Sequence, residues 1–415
     1  MHVERFPRFL QPTFSSQRKH FSRIGFEHFR ILVVALIINA RKAKLSHFAS
    51  AAPSHGHRTS HARFLLSDWD AAGVLAAQAW KMVQSMKPKK GEYIYLMIDD
   101  TRIPKRGKKM EGVSKIWDQK SHSFTNGHVV VLGAILFRGV SSPWSMELWM
   151  PKAQAGRNYR KLNEIACSMI RTFPQRFGMK VRVLFDAYYL AKPVVRVCES
   201  KGFTWFSVAA RNRNLIRGRK KQKLKEIAPG VLRYRGKGIR MRRSRGWRNL
   251  RVAAVDGVLG RTGSVRIVFS KRTRYSNKEL LSVATNELAR TPREIIAIYE
   301  KRWNIEVLFK ELRTSLGLCD YQVLRRTAIE RYLHLDLLAA VPRSTEESYS
   351  LATEAYQNLR TALIFARRDE RGQVVLVTGT APQEGKTTTI FNLARLLAGS
   401  GEKTVVVDCD LRRAN

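Results

Sequence analysis

Two apolar runs that each stop at an aspartate set most of what this 415-residue chain can fold into. Residues 93–98 lead into Asp99-Asp100-Thr101, and residues 181–185 lead into Asp186. Short apolar runs rich in aromatic and β-branched residues read as strands covered on both faces, so each carboxylate falls at the rim of a sheet. A third segment reads as a helix. On it Tyr299, Arg302, Glu306, Lys310 and Arg313 stand 3, 4, 4 and 3 residues apart, which places all five on one charged helical face. Successive strand residues point to opposite sides, so of Asp99 and Asp100 only one points into a site shared with Asp186 and Glu306.

Taken singly, an Asp at a strand end is most often a turn or helix cap, and a charged helical face is most often solvated. Three carboxylates in this order, with the Tyr-Arg-Glu spacing beside them, point instead to one catalytic centre. The segments resemble the DDE transposases of bacterial insertion sequences, in the group marked by a Tyr-x2-Arg-x3-Glu-x6-Lys signature. The resemblance covers about residues 45–338. The residues that carry it are Asp100 before Thr101, Asp186 after its strand, and Tyr299, Arg302 and Glu306, with Arg313 at the signature's final Lys and Lys310 one turn earlier.

That resemblance implies an α/β protein with an RNase H-like catalytic domain over 91–340 and a helical N-terminal DNA-binding region over 1–90. It implies Asp100, Asp186 and Glu306 as the catalytic and metal-binding set, since the family pattern puts the catalytic Asp directly before Thr. Tyr299, Arg302, Lys310 and Arg313 would position DNA phosphates, Arg through its bidentate fork. The implied cofactor is Mg²⁺ or Mn²⁺, because in-line displacement at phosphorus charges both the attacking and leaving oxygens and two hard cations can stabilise both. The implied partner is double-stranded DNA, both element ends and target, bound by a homodimer without a membrane span, in the cytoplasm at the nucleoid.

Charge supports a polyanionic partner and locates it. The chain carries a net +43, yet residues 341–415 hold ten Lys/Arg against nine Asp/Glu, so nearly all of the excess belongs to residues 1–340. Such a surface binds nucleic acid by counterion release. The densest stretch, 211–251, has 17 Lys/Arg and one acid, Glu226, with Tyr234 and Trp247 interleaved. Short strand-like runs at 231–234, 252–255 and 264–270, separated by glycines, predict a β-rich basic insertion over about 211–275 that clamps DNA through its phosphates.

Within the first 90 residues, the apolar run 29–40 is too short for the roughly 20 residues that span a bilayer. His47, His55, His57 and His61 lack cysteine partners and tetrahedral ligand spacing. Four scattered cysteines form no CxxC pair, which suits a reducing compartment.

Beyond the junction at 341–350 the character changes. A helical run at 346–365 leads to a strand at 374–378, then Gly379-Thr380-Ala381-Pro382-Gln383-Glu384-Gly385-Lys386-Thr387, a helix, and a strand at 404–407 ending in Asp408-Cys409-Asp410. This order is that of a phosphate loop between strand and helix. Residues 346–415 resemble the start of the ATP-binding domain of bacterial tyrosine kinases of capsule and exopolysaccharide synthesis. The resemblance implies a vestigial ATP site at Gly385, Lys386, Thr387, Asp408 and Asp410. Two strands and two helices bury too little apolar area for a stable doubly wound sheet, so a truncated P-loop α/β fragment without kinase activity is expected, joined by fusion to the preceding domain.

Overall fold

Val, Ile, Tyr, Phe and Trp concentrate in the middle of the chain, and there the computed structural model builds one mixed sheet. It describes residues 14–38, 58–118, 122–243, 246–260, 262–272, 280–340, 359–363, 372–378, 389–390, 393–394, 396–397 and 403–407. Two compact units divide the chain, one of residues 75–313 and 323–326, the other of 1–74, 314–322 and 327–415.

The first of these units holds the sheet. Its strands are β1 (Tyr93–Pro104), β2 (Ser114–Asp118), β3 (Ser123–Phe137), β4 (Val140–Trp149), β5 (Lys180–Phe185), β6 (Thr204–Val208), β7 (Asn214–Arg217), β8 (Lys220–Lys223), β9 (Lys237–Arg243), β10 (Gly246–Leu259), β11 (Ser264–Lys271) and β12 (Leu281–Thr285). The order is β2-β3-β1-β5-β6-β12-β11-β10-β7-β8, with β4 on β3 and β9 on β10. β1 is the hinge of this arrangement, antiparallel to β3 and parallel to β5, with Met97 beside Leu184 and Ile98 beside Phe185. Leu96, Met97 and Ile98 are all buried, as a strand covered on both faces requires. Gly127 of β3 allows a close crossing. A Cβ there would lie 2.6 Å from the Ile103 carbonyl oxygen and 2.3 Å from Ile116 Cδ1.

One face of the sheet is covered by α1 (Leu162–Thr172) and α2 (Lys192–Ser200), whose Ile165, Ile170, Val194 and Val195 share a core with Ile94, Leu96, Ile98, Val183 and Phe185. On the other side run α3 (Pro292–Glu300) and α4 (Trp303–Ser315). The sequence predicts one continuous helix through the signature residues, and here the structure differs. The two helices meet at Lys301–Arg302, where Arg302 N bonds Tyr299 O and Ile305 N bonds Arg302 O, tighter three-residue turns that shift the register between Tyr299 and Glu306.

In the basic stretch, the runs 252–255 and 264–270 lie in strands β10 and β11, which extend the central sheet, whereas residues 231–234, read as strand from their apolar run, lie inside a helix, α5 (Leu224–Arg235). Leu224, Ile227, Ala228 and Leu232 are buried at helical spacing, the Glu226 carboxylate accepts from the Lys223 backbone N–H at 3.2 Å, and the Arg251 guanidinium caps the far end through the Leu232 and Arg233 carbonyls at 2.8 and 3.1 Å.

In the second unit, Arg23–Ile38 and Arg58–Leu66 are helices around an aromatic cluster in which Phe21 stacks on Phe29 and Phe64 on Trp69. Residues 31–36 are buried there. His61 is buried beside His28, their Nδ1 atoms 3.2 Å apart; His47, His55 and His57 lie outside the described residues. Arg331 of the helix Arg326–Ala340 lies over Trp69 and donates to the Leu65 carbonyl. No helix among the described residues is long and apolar enough to cross a membrane. Cys167 and Cys198 are buried thiols.

Both C-terminal runs predicted as strands, 374–378 and 404–407, carry no strand pairing, and Val374, Leu376 and Val405 are more than four-fifths exposed. An apolar strand is stable only when a neighbour covers it, and no described strand pairs with either run. Gly385, Lys386, Thr387, Asp408 and Asp410 lie outside the described residues.

Candidate active site

The parallel pairing of β1 with β5 brings the first two carboxylate segments together. Carried one residue beyond Ile98 and Phe185, their register sets Asp99 level with Asp186. Asp186 leaves the strand in a tight turn. Its Oδ1 accepts from the backbone N–H groups of Tyr188 and Tyr189 at 2.9 and 3.3 Å, and its carbonyl accepts from Ser207 Oγ at 2.8 Å.

The third segment arrives on α4. Arg302 Nη1 donates to Asp99 Oδ2 at 2.8 Å, and its Nη2 bonds the Glu306 carboxylate one turn along. Eleven residues further, Arg313 bonds the Thr101 hydroxyl. Asp99 and Thr101 point to the same side of β1, so the charged face of α4 lies along that side. Tyr299 is buried with its ring 5.8 Å from the Arg302 guanidinium, and Lys310 is exposed.

Asp100, the first-strand residue selected from the sequence, occupies the opposite side. Its Oδ1 accepts a hydrogen bond of 3.1 Å from Tyr189, whose side chain is fully buried with Ile98 and Phe185. Asp99 is the residue that shares a face and a guanidinium with Glu306. The reason is the alternation of the strand combined with the choice of face by α4, and only the first of these is written in the local sequence. The sequence reading did not single out Tyr189. Its aromatic-hydroxyl character three residues after Asp186 is the one signal that could have found it.

The electrostatics are those of crowded acids held by one cation. Burial, partly offset by Arg302 and reinforced by Asp186 and Asp100, pushes the Asp99 carboxyl up to about 7. Burial likewise raises Asp100, against the hydrogen bond from Tyr189. Burial pulls the Arg302 guanidinium down, but Tyr299, Asp99 and Glu306 outweigh it, and its net shift is upward. Among the described residues, no three acidic, His or Cys side chains are gathered closely enough to wrap a metal as they stand. The donor chemistry does suit a hard divalent cation: carboxylate oxygens, desolvated and mutually repelling, with a guanidinium already bridging two of them.

Basic surface surrounds β9 and β10. Arg240 lies over the exposed Trp247 ring at 4.6 Å, and Arg233 over exposed Tyr234 at 5.5 Å. A hollow of about 380 Å³ opens between Gly238, Arg240, Asn249, Arg251 and Arg272.

Comparison with known proteins gives matches of two kinds, to transposases and to tyrosine-protein kinases. The archaeal putative transposase ISC1217 family model matches residues 261–354, which include α4. A probable transposase for insertion sequence element IS701 from Microchaete diplosiphon is 29% identical over 168 residues, 40% of this chain and 43% of that protein. The putative tyrosine-protein kinase AmsA of Erwinia amylovora is 44% identical over 63 residues, 15% of this chain and 9% of AmsA. Tyrosine-protein kinase YwqD of Bacillus subtilis is 42% identical over 67 residues, 16% of this chain and 28% of YwqD. The chain spans less than half the length of each of these relatives. The model described as DDE superfamily endonuclease matches residues 18–268, more than half of the 415-residue chain, and the protein belongs to that family.

Proposed function

We propose that this chain is a DNA transposase that cuts strands at the ends of an insertion element and joins the freed 3′ ends to target DNA. The observation that carries this reading is that the parallel ends of β1 and β5 set Asp99 level with Asp186, while Arg302 joins Asp99 to Glu306 of a late helix.

Asp99, Asp186 and Glu306 are the residues proposed to hold Mg²⁺ or Mn²⁺. Such ions, when bound, would stabilise the attacking and leaving oxygens of the displacement at phosphorus. Tyr189 fixes Asp100 and, through its backbone N–H, Asp186, so the rim of β5 keeps its shape while charge is exchanged. Arg302 and Arg313 lie over the same side of β1 and offer forked donors to a phosphate oxygen. Lys310, exposed on the same helix, adds a point charge. The basic β9–β10 surface supplies sequence-independent grip on the duplex. A homodimer on DNA, in the cytoplasm at the nucleoid, completes this reading.

The segment from about 346 onward reads as a fragment of a kinase-type nucleotide-binding module. The short matches to tyrosine-protein kinases and the Gly385-Lys386-Thr387 loop support that origin. Transposition remains the favoured function.

The test is nicking and strand transfer by the full chain on supercoiled DNA carrying candidate element ends, with Mg²⁺ or Mn²⁺. Asp99→Asn, Asp186→Asn and Glu306→Gln are expected to bind DNA but lose at least about a thousandfold in cutting, and Asp100→Asn about tenfold. Full loss in Asp100→Asn with activity retained in Asp99→Asn would reverse the strand assignment.

A further inference from the structure

The β2–β3 hairpin carries a feature that the chemistry above does not use. Trp117 and Phe124 face each other directly across it, with ring centroids 5.2 Å apart at 74°. Both are open to solvent, Phe124 at 70% and Trp117 at 40%, although large aromatics on an edge strand of an α/β sheet ordinarily find cover. Their place in the sheet is defined by register. Phe124 is paired with Trp117, and further along β3 Val130 is paired with Thr101 and Leu132 with Asp99. Positions 124, 130 and 132 have the same parity, so the aromatic pair lies on the face of the sheet that carries Asp99 and Thr101. Eight residues of β3 separate Phe124 from the level of Asp99, roughly 25 Å at about 3.3 Å per residue. The hairpin therefore projects from the carboxylate end of β1 by the length of about seven base pairs of duplex.

Exposed aromatics alone would fit many partners, and the charge around them selects one. The neighbours on the same face are Lys115, exposed, and Asn126, with no acid among them. The chain as a whole carries +43. We propose that Trp117, Phe124 and Lys115 form a contact for the DNA duplex flanking the cleaved bond, about seven base pairs from it. The ring edges pack against deoxyribose and Lys115 meets a phosphate. This inference rests on the transposase reading and adds to it an arm of the footprint that the carboxylate site does not reach.

The test measures binding of the full chain to a random-sequence 30-base-pair duplex over a range of salt. Trp117→Ala with Phe124→Ala is expected to bind about tenfold more weakly at every salt concentration with the salt slope unchanged. Lys115→Ala is expected to lower that slope by about one. Trp117→Phe with Phe124→Tyr should bind as the parent does, and circular dichroism should show the parent's spectrum for each variant. Ultraviolet cross-linking of the unmodified chain to the same duplex, followed by mass spectrometry, should recover peptides containing Trp117 or Phe124 joined to nucleotide. Equal binding by the alanine pair, or no cross-link on either peptide, overturns the contact. A shift of the alanine pair from dimer to monomer without DNA, with affinity unchanged, assigns the hairpin to a second copy and also overturns it. If the unmodified chain binds no duplex at any salt, the transposase reading itself falls.

Discussion

Replacing Arg302 with Gln removes the guanidinium that joins Asp99 to Glu306 and leaves the crowded acids without it. The Arg302 and Asp99 side chains are 15% and 16% exposed, so solvent screens their pairing only weakly. Removing one partner of a buried pair costs about 3–5 kcal/mol, and partial exposure of Glu306 places the expectation at the low end, about 3 kcal/mol. For a unit of this size that is a fall in melting temperature of roughly 6–12 °C. A divalent cation should then take the vacated position. At a concentration a hundred times its dissociation constant, a ligand returns about 2.7 kcal/mol, enough to recover most of the loss. The parent gains less, because there the ion must displace Arg302. Scanning calorimetry of parent and Arg302→Gln, each with and without 10 mM Mg²⁺ (a value about a hundredfold above a typical weak-site constant), reads all four quantities. A variant that melts within about 1 °C of the parent, or an equal rise with magnesium in both, would refute the view of Arg302 as a resident counter-cation.

Three further outcomes are expected. The Asp99 carboxyl has a folded pKa near 7, above its unfolded value, so its contribution to stability is complete below about pH 4 and is lost as pH rises through 7. Denaturation of the parent and Asp99→Asn from pH 4 to 8 should show the parent's relative stability falling by at most about 1.4 kcal/mol per pH unit, and a flat difference contradicts it. Arg182, 5% exposed, is held by Glu287 at 2.7 Å and lies 3.5 Å from the centre of the Tyr93 ring; Arg182→Met should lower stability by about 3 kcal/mol in urea titrations, with Glu287→Gln added to it restoring part of the loss. Gly127→Ala must push Ile116 or the Ile103 backbone aside, and about 1–3 kcal/mol of destabilisation is expected from the same titrations.

The central strands were legible because their apolar runs are long and end abruptly. Residues 93–98, 181–185 and 264–270 all lie in strands, and the parallel neighbour of β1 is the second Asp-terminated run. What local sequence could not supply was a choice made by distant residues. Alternation separated Asp99 from Asp100, but which of them meets Glu306 depends on the side of β1 that α4 covers, more than 200 positions away. The break between α3 and α4 was hidden for a similar reason, since the spacing from Tyr299 to Arg313 is periodic on both sides of it. In the insertion, the apolar run at 231–234 looked extended, and the helical spacing of Leu224, Ile227, Ala228 and Leu232 was masked by the surrounding Lys and Arg and by Pro229. Lys310 and Arg313 share a helix with Glu306, yet Arg313 reaches Thr101 while Lys310 stays exposed.

Because β10 belongs to the same hydrogen-bonded sheet as β1, five strand steps away, its direction is tied to that of β1 by sheet twist. Neighbouring strands rotate by about 20–25°, so five steps accumulate to roughly 100–125°. A duplex gripped along the Arg-rich β9–β10 edge and a duplex lying past Asp99 would therefore run nearly at right angles. A rigid sheet cannot relax that angle the way a hinged clamp could, so the geometry favours DNA that is bent, or two separate duplexes crossing.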